Sequence, residues 1–194
     1  MTRIVSRMYD SYGQAQRVVH KLEEAGFSSS EVSLVSRYRN DDTLADDASG
    51  SGAAAGATAG AVVGGGTGLL TALGVIAIPG LGPLVAAGAL ATTLVGVAGG
   101  SLVGGLLGAL TGSGISEEDA HLYAEGVRRG SSVVTVRTDD SRAAMADAIM
   151  NSESAVDAEQ RRRAYRETGW SQYDPSAKGM TADEIRRERE RYLR

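Results

Sequence analysis

The chain has no cysteine and only two histidines, His20 and His121, among its 194 residues. Disulfides, thiolate nucleophiles and zinc or iron–sulfur sites built on Cys are excluded, and a His-rich metal site is disfavoured. Large aromatics are scarce, with one Phe and one Trp, so a conventional core rich in big side chains cannot account for the 42% apolar content. Lysine occurs only at Lys21 and Lys178. A phosphate loop at Gly64-Gly65-Gly66-Thr67-Gly68 therefore lacks its lysine, and no ribose-binding acid follows for a dinucleotide fingerprint. No apolar run follows Met1 before Arg3, Arg7 and Asp10, so no secretory leader is expected and the soluble parts are expected in the cytoplasm. The net charge of −4 is spread without a basic excess, which argues against a nucleic-acid partner.

The longest absence is of charge itself. From Ala48 to Ser116 there are 69 positions without Asp, Glu, Lys or Arg. Pro79-Gly80-Leu81-Gly82-Pro83 divides this stretch, with prolines bracketing glycines as at the end of one helix and the start of another. Each arm, read as helix, is roughly 40 Å long, against about 30 Å for a bilayer core. Glycine falls at Gly52, Gly56, Gly60, Gly64 and Gly68 on the first arm, and at Gly96, Gly100, Gly104, Gly108 and Gly112 on the second. The two rows mirror each other about Gly82. In an antiparallel helical hairpin, each helix would offer the other a flat stripe at every level. Small residues every four positions allow close backbone approach. In water each glycine costs about 0.8–1 kcal/mol relative to alanine in a helix, so the rows make most sense where water is scarce. Leu69, Leu70, Leu73, Val75, Ile76, Ile78, Leu84 and Val85 cluster near the turn, which makes the tip the most lipid-compatible part.

The flanks read differently. Residues 3–9 form a strand. Ser11 and Gln14 then form a capping box for a helix that buries Tyr12, Ala15, Val18, Val19 and Leu22 and stops at Gly26. Residues 31–37 alternate like a half-buried strand, with Val32 and Leu34 inward. After the uncharged stretch, Ser116 caps a helix over 117–129 that buries Ala120, Tyr123, Ala124 and Val127. A strand over 132–137 and a helix over 140–150 follow, the helix burying Ala144, Met145, Ala148 and Ile149. The expected fold is α+β: a small ferredoxin-like two-layer sandwich made of residues 1–47 and 116–150, interrupted by an apolar antiparallel helical hairpin at 48–115. Neither half alone has enough apolar surface to stand, so the domain closes when the two meet.

Residues 151–194 form a tail of two charged helical stretches, about 153–167 and from Thr181 onward, joined by a loop around Trp170. Alternating charge implies solvated helices. The functional alternative is that Arg161, Arg162 and Arg163, with Trp170, touch anionic lipid or a partner. His121 is expected to pair with Glu117 or Glu125, and Asp41, Asp42, Asp46 and Asp47 lack the pattern of a calcium loop.

The run Ala77-Ile78-Pro79-Gly80-Leu81-Gly82-Pro83, the glycine row after it, the block Gly114–Val136 and the opening Met8–Ser36 resemble bacterial general stress proteins of the heat-induced or low-temperature-induced type, over roughly residues 3–140. The resemblance implies induction under stress and association with membranes, and carries no agreed biochemical activity with it.

The resulting expectation is a non-enzymatic, membrane-associated structural protein that self-associates through its glycine hairpin, with membrane lipid and further copies of itself as partners. It includes no cofactor, no metal and no identified small-molecule substrate. The alternatives are a soluble, cytoplasmic scaffold with the hairpins buried in a shared core, a conditional inserter, or a small-ligand sensor domain.

Overall fold

The computed structural model describes residues 2–40, 43–44, 74–78, 82–88, 105–177 and 180–192. Strand β1 (Thr2–Tyr9) leads into helix α1 (Tyr12–Glu24), then β2 (Val32–Ser36) and the short β3 (Tyr38–Asn40) and β4 (Thr43–Leu44). Strands β5 (Gly74–Ile78) and β6 (Gly82–Ala87) follow, then α2 (Gly105–Gly112), α3 (Glu117–Arg128), β7 (Ser132–Asp139), α4 (Asp140–Asn151), α5 (Ala158–Glu167) and α6 (Ala182–Glu190).

The main sheet runs β1-β7-β2-β6-β5, and every neighbouring pair is antiparallel. Strand β7 lies between β1 and β2, with Tyr9 opposite Ser132 on one side and Ser36 opposite Ser132 on the other. The strands β1 and β2 are thus parallel to each other and joined through α1. The capping box of Ser11 and Gln14 is present, and α1 buries the five expected side chains before Gly26 takes φ +85°.

Helices lie against both faces of the sheet, which replaces the expected two-layer sandwich. One face gathers Met8, Val35, Leu84 and Val133 under α2, α3 and Tyr165 of α5. The other gathers Tyr9, Val32, Leu34, Val134 and Val136 under α1, α4 and Ile185 of α6. Alternate side chains of each strand enter different clusters. This is why all five residues of β2 are buried rather than every second one.

Where helix is expected on either side of the prolines, the described residues 74–78 and 82–87 form two paired antiparallel strands instead. Ile78 pairs with Gly82, Ala77 with Pro83 and Gly74 with Ala86. The β-branched residues Val75, Ile76, Ile78 and Val85 suit a strand, and β2 would otherwise leave its edge unpaired beside them. Strand β6 completes that edge with Leu34 opposite Ala87. Gly88 ends β6 at φ +77°, where an added Cβ would lie 2.0 Å from the Val32 carbonyl oxygen. The expected lipid-facing tip therefore supplies Leu84, Ala86 and Ala87 to the protein's own core. Among the described residues no helix is long and apolar enough to cross a membrane.

Helix α4 is rotated from the expected phase. It buries Ala143, Ala146 and Met150, while Ala144 and Ala148 are exposed, Ile149 is partly buried and Met145 is 41% exposed. Alanines on several faces make the stripe ambiguous, and polar contacts decide the rotation. Asp147 pairs with Arg7, and Arg142 lies 4.0 Å over the Phe27 ring while bonding Glu31 and the Gly26 carbonyl.

The tail is not a solvated appendage. Its first helix starts at Ala158 and buries Arg161, Arg162 and Tyr165; its second buries Ile185, Glu188 and Arg189.

Candidate functional site

Because β1 and β2 are parallel with β7 antiparallel between them, the end of β1, the end of β2 and the start of β7 meet at one end of the sheet. Asp10, Arg37 and Ser131 are the first residues beyond those strands. Beneath them the hydroxyls of Ser36 and Ser132 bond each other at 2.7 Å. Elsewhere in α/β folds such strand ends hold ligands; here the tail covers them.

The covering is ionic and aromatic. Arg161 donates to both oxygens of Asp10, at 2.7 and 2.6 Å, the paired geometry that suits a guanidinium and a carboxylate. Its guanidinium also lies 3.7 Å from the ring centroid of Tyr192. Ser131 adds a 3.4 Å bond to Asp10, and Arg189 donates to the Asp10 carbonyl at 3.0 Å. Arg37 donates to the carbonyls of Arg128 and Met180.

Helix α3 supplies the second half of the seam. Glu125, 1% exposed, accepts from Arg128 at 2.8 Å and from Arg129 at 2.6 Å. Arg129 continues to Glu188 at 2.7 Å and lies 4.1 Å over the Tyr165 ring. Arg162 binds Asp119 at 2.8 Å, reaches Glu118 at 3.3 Å and pairs with Glu159. The Tyr173 amide donates to His121 Nδ1 at 3.2 Å. This contact, rather than the expected pair with Glu117 or Glu125, places the ring.

Burial sets the electrostatics. It pushes the phenols of Tyr165, Tyr123 and Tyr173 each up to about 12. Burial alone would lower Arg161 and Arg129. The hydrogen bonds to Asp10, and to Glu125 and Glu188, more than offset it and raise both. Arginine does not give up its proton in a protein. A seam in which each buried carboxylate faces a guanidinium fixes the position of the tail helices.

A groove of about 490 Å³ runs beside the outer edge of β1, between the Gly114–Ser116 loop and α4. Several of its polar groups are already engaged: Tyr123 Oη donates to the Ser6 carbonyl at 3.2 Å, and Arg7 bonds the same carbonyl and Asp147. Among the described residues no group of three His, Asp or Glu side chains is placed to hold a metal ion.

Of the residues singled out in the sequence, Gly52, Gly56, Gly60, Gly64, Gly68, Gly96, Gly100, Gly104, Pro79 and Gly80 lie outside the described residues. Gly82 and Pro83 open β6. Gly108 and Gly112 are exposed on α2, and no described atom lies within 4 Å of where their Cβ would be. Leu106, Ala109 and Leu110, on the opposite side of that helix, are buried. Arg161 and Arg162 are buried in the seam, Arg163 is exposed, and Trp170 packs edge-on against Tyr165 with ring centroids 5.7 Å apart.

The sequence pattern does not single out Asp10, Glu188 or Tyr165, and it offers Glu125 only as a partner for His121. The available signal was spacing: Arg161, Arg162 and Tyr165 share one face of α5, as an apolar stripe would. Comparison with protein-family models, with curated proteins and with solved structures finds no match.

Proposed function

We propose that this protein is a non-enzymatic, membrane-associated assembly module of the bacterial stress-protein type, in which a folded α/β body carries two uncharged glycine-rich arms. The observation that carries the reading is the run of 69 uncharged positions with its two four-step glycine rows. Its support in the structure is the placement of the ends. The first arm leaves after Leu44 and rejoins at Gly74; the second leaves after Gly88 and rejoins at Gly105. Both arms are thus tethered at both ends, and Gly74 faces Ala86 across the hairpin, so the arms join it side by side. The described strand pairs, Gly74 with Ala86 through Ile78 with Gly82, place the centre of the pairing two residues before the Gly82 mirror of the glycine rows. Gly108 and Gly112 lie on the side of α2 turned away from its buried residues, where no described atom comes within 4 Å of an added Cβ, and small residues at that spacing suit close helix packing.

A second reading, a soluble assembly with the arms in a shared core, is favoured by one specific observation. The most apolar part of the stretch is taken up by the body's own sheet, with Leu84 fully buried.

Fractionation of untagged protein, with sizing in the absence of detergent, separates the two. Sedimentation with membranes supports the first reading. A defined oligomer in the high-speed supernatant overturns it in favour of the second. Gly60→Leu with Gly104→Leu alters assembly size under either reading, and an unchanged size would remove the glycine rows from the account.

A further inference from the structure

Strand β1 is an edge of the main sheet, and its backbone groups can be sorted by the side they serve. The Arg137 N–H donates to the Glu31 carbonyl, on the β2 side of β7, at 2.8 Å. The odd-numbered residues of β7 therefore bond β2 and the even-numbered ones bond β1. In the observed register those even-numbered residues face Arg3, Val5, Arg7 and Tyr9. Thr2, Ile4, Ser6 and Met8 thus turn their backbone groups outward, into the groove beside α4. Two of these groups are taken. The Met8 carbonyl accepts from the Val156 N–H at 2.8 Å, and the Ser6 carbonyl accepts from Tyr123 and Arg7. Among the described residues, none bonds the Thr2 carbonyl, the Ile4 N–H and carbonyl, or the Ser6 N–H.

These four open groups are symmetric about Ile4. A second β1, laid antiparallel with Ile4 opposite Ile4, exchanges both Ile4 bonds and joins each Ser6 N–H to the other Thr2 carbonyl. It asks nothing of the two carbonyls already taken. The side chains select the same register. Of the two neighbouring registers that keep outward groups matched, one sets Arg3 against Arg3 and the other sets Arg3 against Arg7. Like charges directly opposite are destabilising. With Ile4 at the centre, Ile4 meets Ile4, Ser6 meets Thr2, and Arg3 lays its stem across Val5.

Helix α4 fits this arrangement. It runs along β1 from the level of Thr2, opposite Asp139, to that of Arg7, which pairs with Asp147. Ala144, exposed, lies between these levels on the groove side. A two-fold axis at Ile4 brings Ala144 toward its own copy, where a small side chain permits close approach. It also brings the half-buried Asp147 of one copy level with Arg3 of the other. Arg3 is exposed and has no partner among the described residues.

We propose that the occupant of this edge is a second copy of the chain, paired through β1 so that one sheet runs across two bodies. Self-complementary hydrogen bonding, the exclusion of like charges and the match of Arg3 to Asp147 carry the inference. This interface lies on the folded body and goes beyond the glycine rows.

The test uses disulfide trapping on the full chain, which has no cysteine of its own. Arg3→Cys with Val5→Cys sets thiols across a non-hydrogen-bonded pair, where Cα atoms about 4.5 Å apart suit a disulfide. Mild oxidation is expected to give a covalent dimer on non-reducing electrophoresis. Val5→Cys alone gives none, because its thiol faces Arg3. Adding Ala144→Lys, at an exposed helical position, sets two ammonium groups against each other and lowers the cross-linked fraction at least about tenfold. No dimer from a folded double variant, or equal linking from Val5→Cys alone, overturns the pairing. Should the double variant fail to fold, hydrogen exchange on the unaltered chain reads the same claim. The Ile4 amide is expected to exchange at least about tenfold more slowly at high than at low protein concentration, and rapid exchange at both overturns the proposal. Slow exchange at both, without cross-linking, assigns the edge to a foreign strand and overturns the second copy as occupant. Both readouts are local to β1, so they can fail while membrane sedimentation through the arms succeeds, and the reverse.

Discussion

Helices α1 and α5 are built on the same spacing and held by different physics. Helix α1 meets the sheet through Tyr12, Ala15, Val18, Val19 and Leu22, a stripe with a single hydroxyl. Helix α5 meets the body through Arg161, Arg162 and Tyr165. Burying the first stripe is favourable in proportion to area, needs no matched partner and is nearly indifferent to salt. Burying the second is favourable only because Asp10, Asp119 and the tyrosine rings stand where the guanidinium groups arrive. Helical periodicity tells which face goes inward in both cases. Whether that face is glued or latched is told by the residues on the other side, which lie far away in sequence.

The largest expected effect breaks the latch. Asp10→Asn strands the Arg161 guanidinium in a buried place without its counter-charge, which costs about 3–5 kcal/mol. Denaturant titration measures the loss, and hydrogen exchange should place it in α5 before α1. A uniform loss across both helices would mean that the two layers are not separable. Leu22→Ala is the matching cut on the other side, at about 2–5 kcal/mol for a side chain with no exposure. Its cost should be unchanged by salt. Gly88→Ala sharpens the comparison because β6 feeds both layers, Leu84 and Ala86 beneath α3, Ala87 beneath α1. A Cβ there is strained by φ +77° and overlaps backbone of β2, for about 2–3 kcal/mol. If the segment were a helix, the same change would stabilise it by up to about 1 kcal/mol, so the sign of the shift in midpoint decides between sheet and helix.

That sign marks where the sequence stopped being legible. The capping box at Ser11, the stripe of α1, the cap at Ser116 and the strands expected at 3–9 and 132–137 follow from local rules, and each is present, the strands extending over Thr2–Tyr9 and Ser132–Asp139. The hairpin at 74–87 was read as helix because absence of charge and regular glycine spacing dominated the pattern. Which of the two states wins is set by β2, whose free edge asks for a strand and lies some forty residues upstream. The rotation of α4 failed for a similar reason: Ala143, Ala144, Ala146 and Ala148 offer several equivalent faces, and the choice rests on Arg7 and Glu31. In the tail, charge was read as a sign of water. Arginine is a long apolar stem with a paired head, and its burial is legible only when Asp10, more than 150 residues away, is placed against it.

Tyrosine ionisation probes both layers from one solution variable. Tyr165, in the α5 layer, is held neutral up to about 12 by burial. Tyr9, whose hydroxyl bonds the Met150 carbonyl at 2.7 Å beside α1, is raised as well, again chiefly by burial. An unfolded tyrosine ionises near 10. The stability these phenols contribute is therefore complete below about pH 10 and declines as pH rises toward 12. Midpoints measured against pH should be flat in the neutral range and fall only in that alkaline window. Tyr165→Phe should flatten the alkaline fall while leaving α1 as protected as before. A phenolate signal that grows near pH 10 with both helices still protected would show these rings to be wet.

The smallest expected effect supplies the contrast that makes the largest one meaningful. Asp183 pairs with Arg186 on the outer side of α6, with both side chains more than half exposed. Its carboxyl is held below the ordinary range, first by the hydrogen bond from Arg186. Water competes for both groups and salt screens what remains. Asp183→Asn should therefore leave the denaturant midpoint where it was, at low and at high salt. The same chemical change at Asp10, one carboxylate to one amide opposite one arginine, should be the most damaging of the set. If the two variants lost equal stability, burial would not be what distinguishes the seam, and α5 would be held no more specifically than any solvated ion pair on the surface.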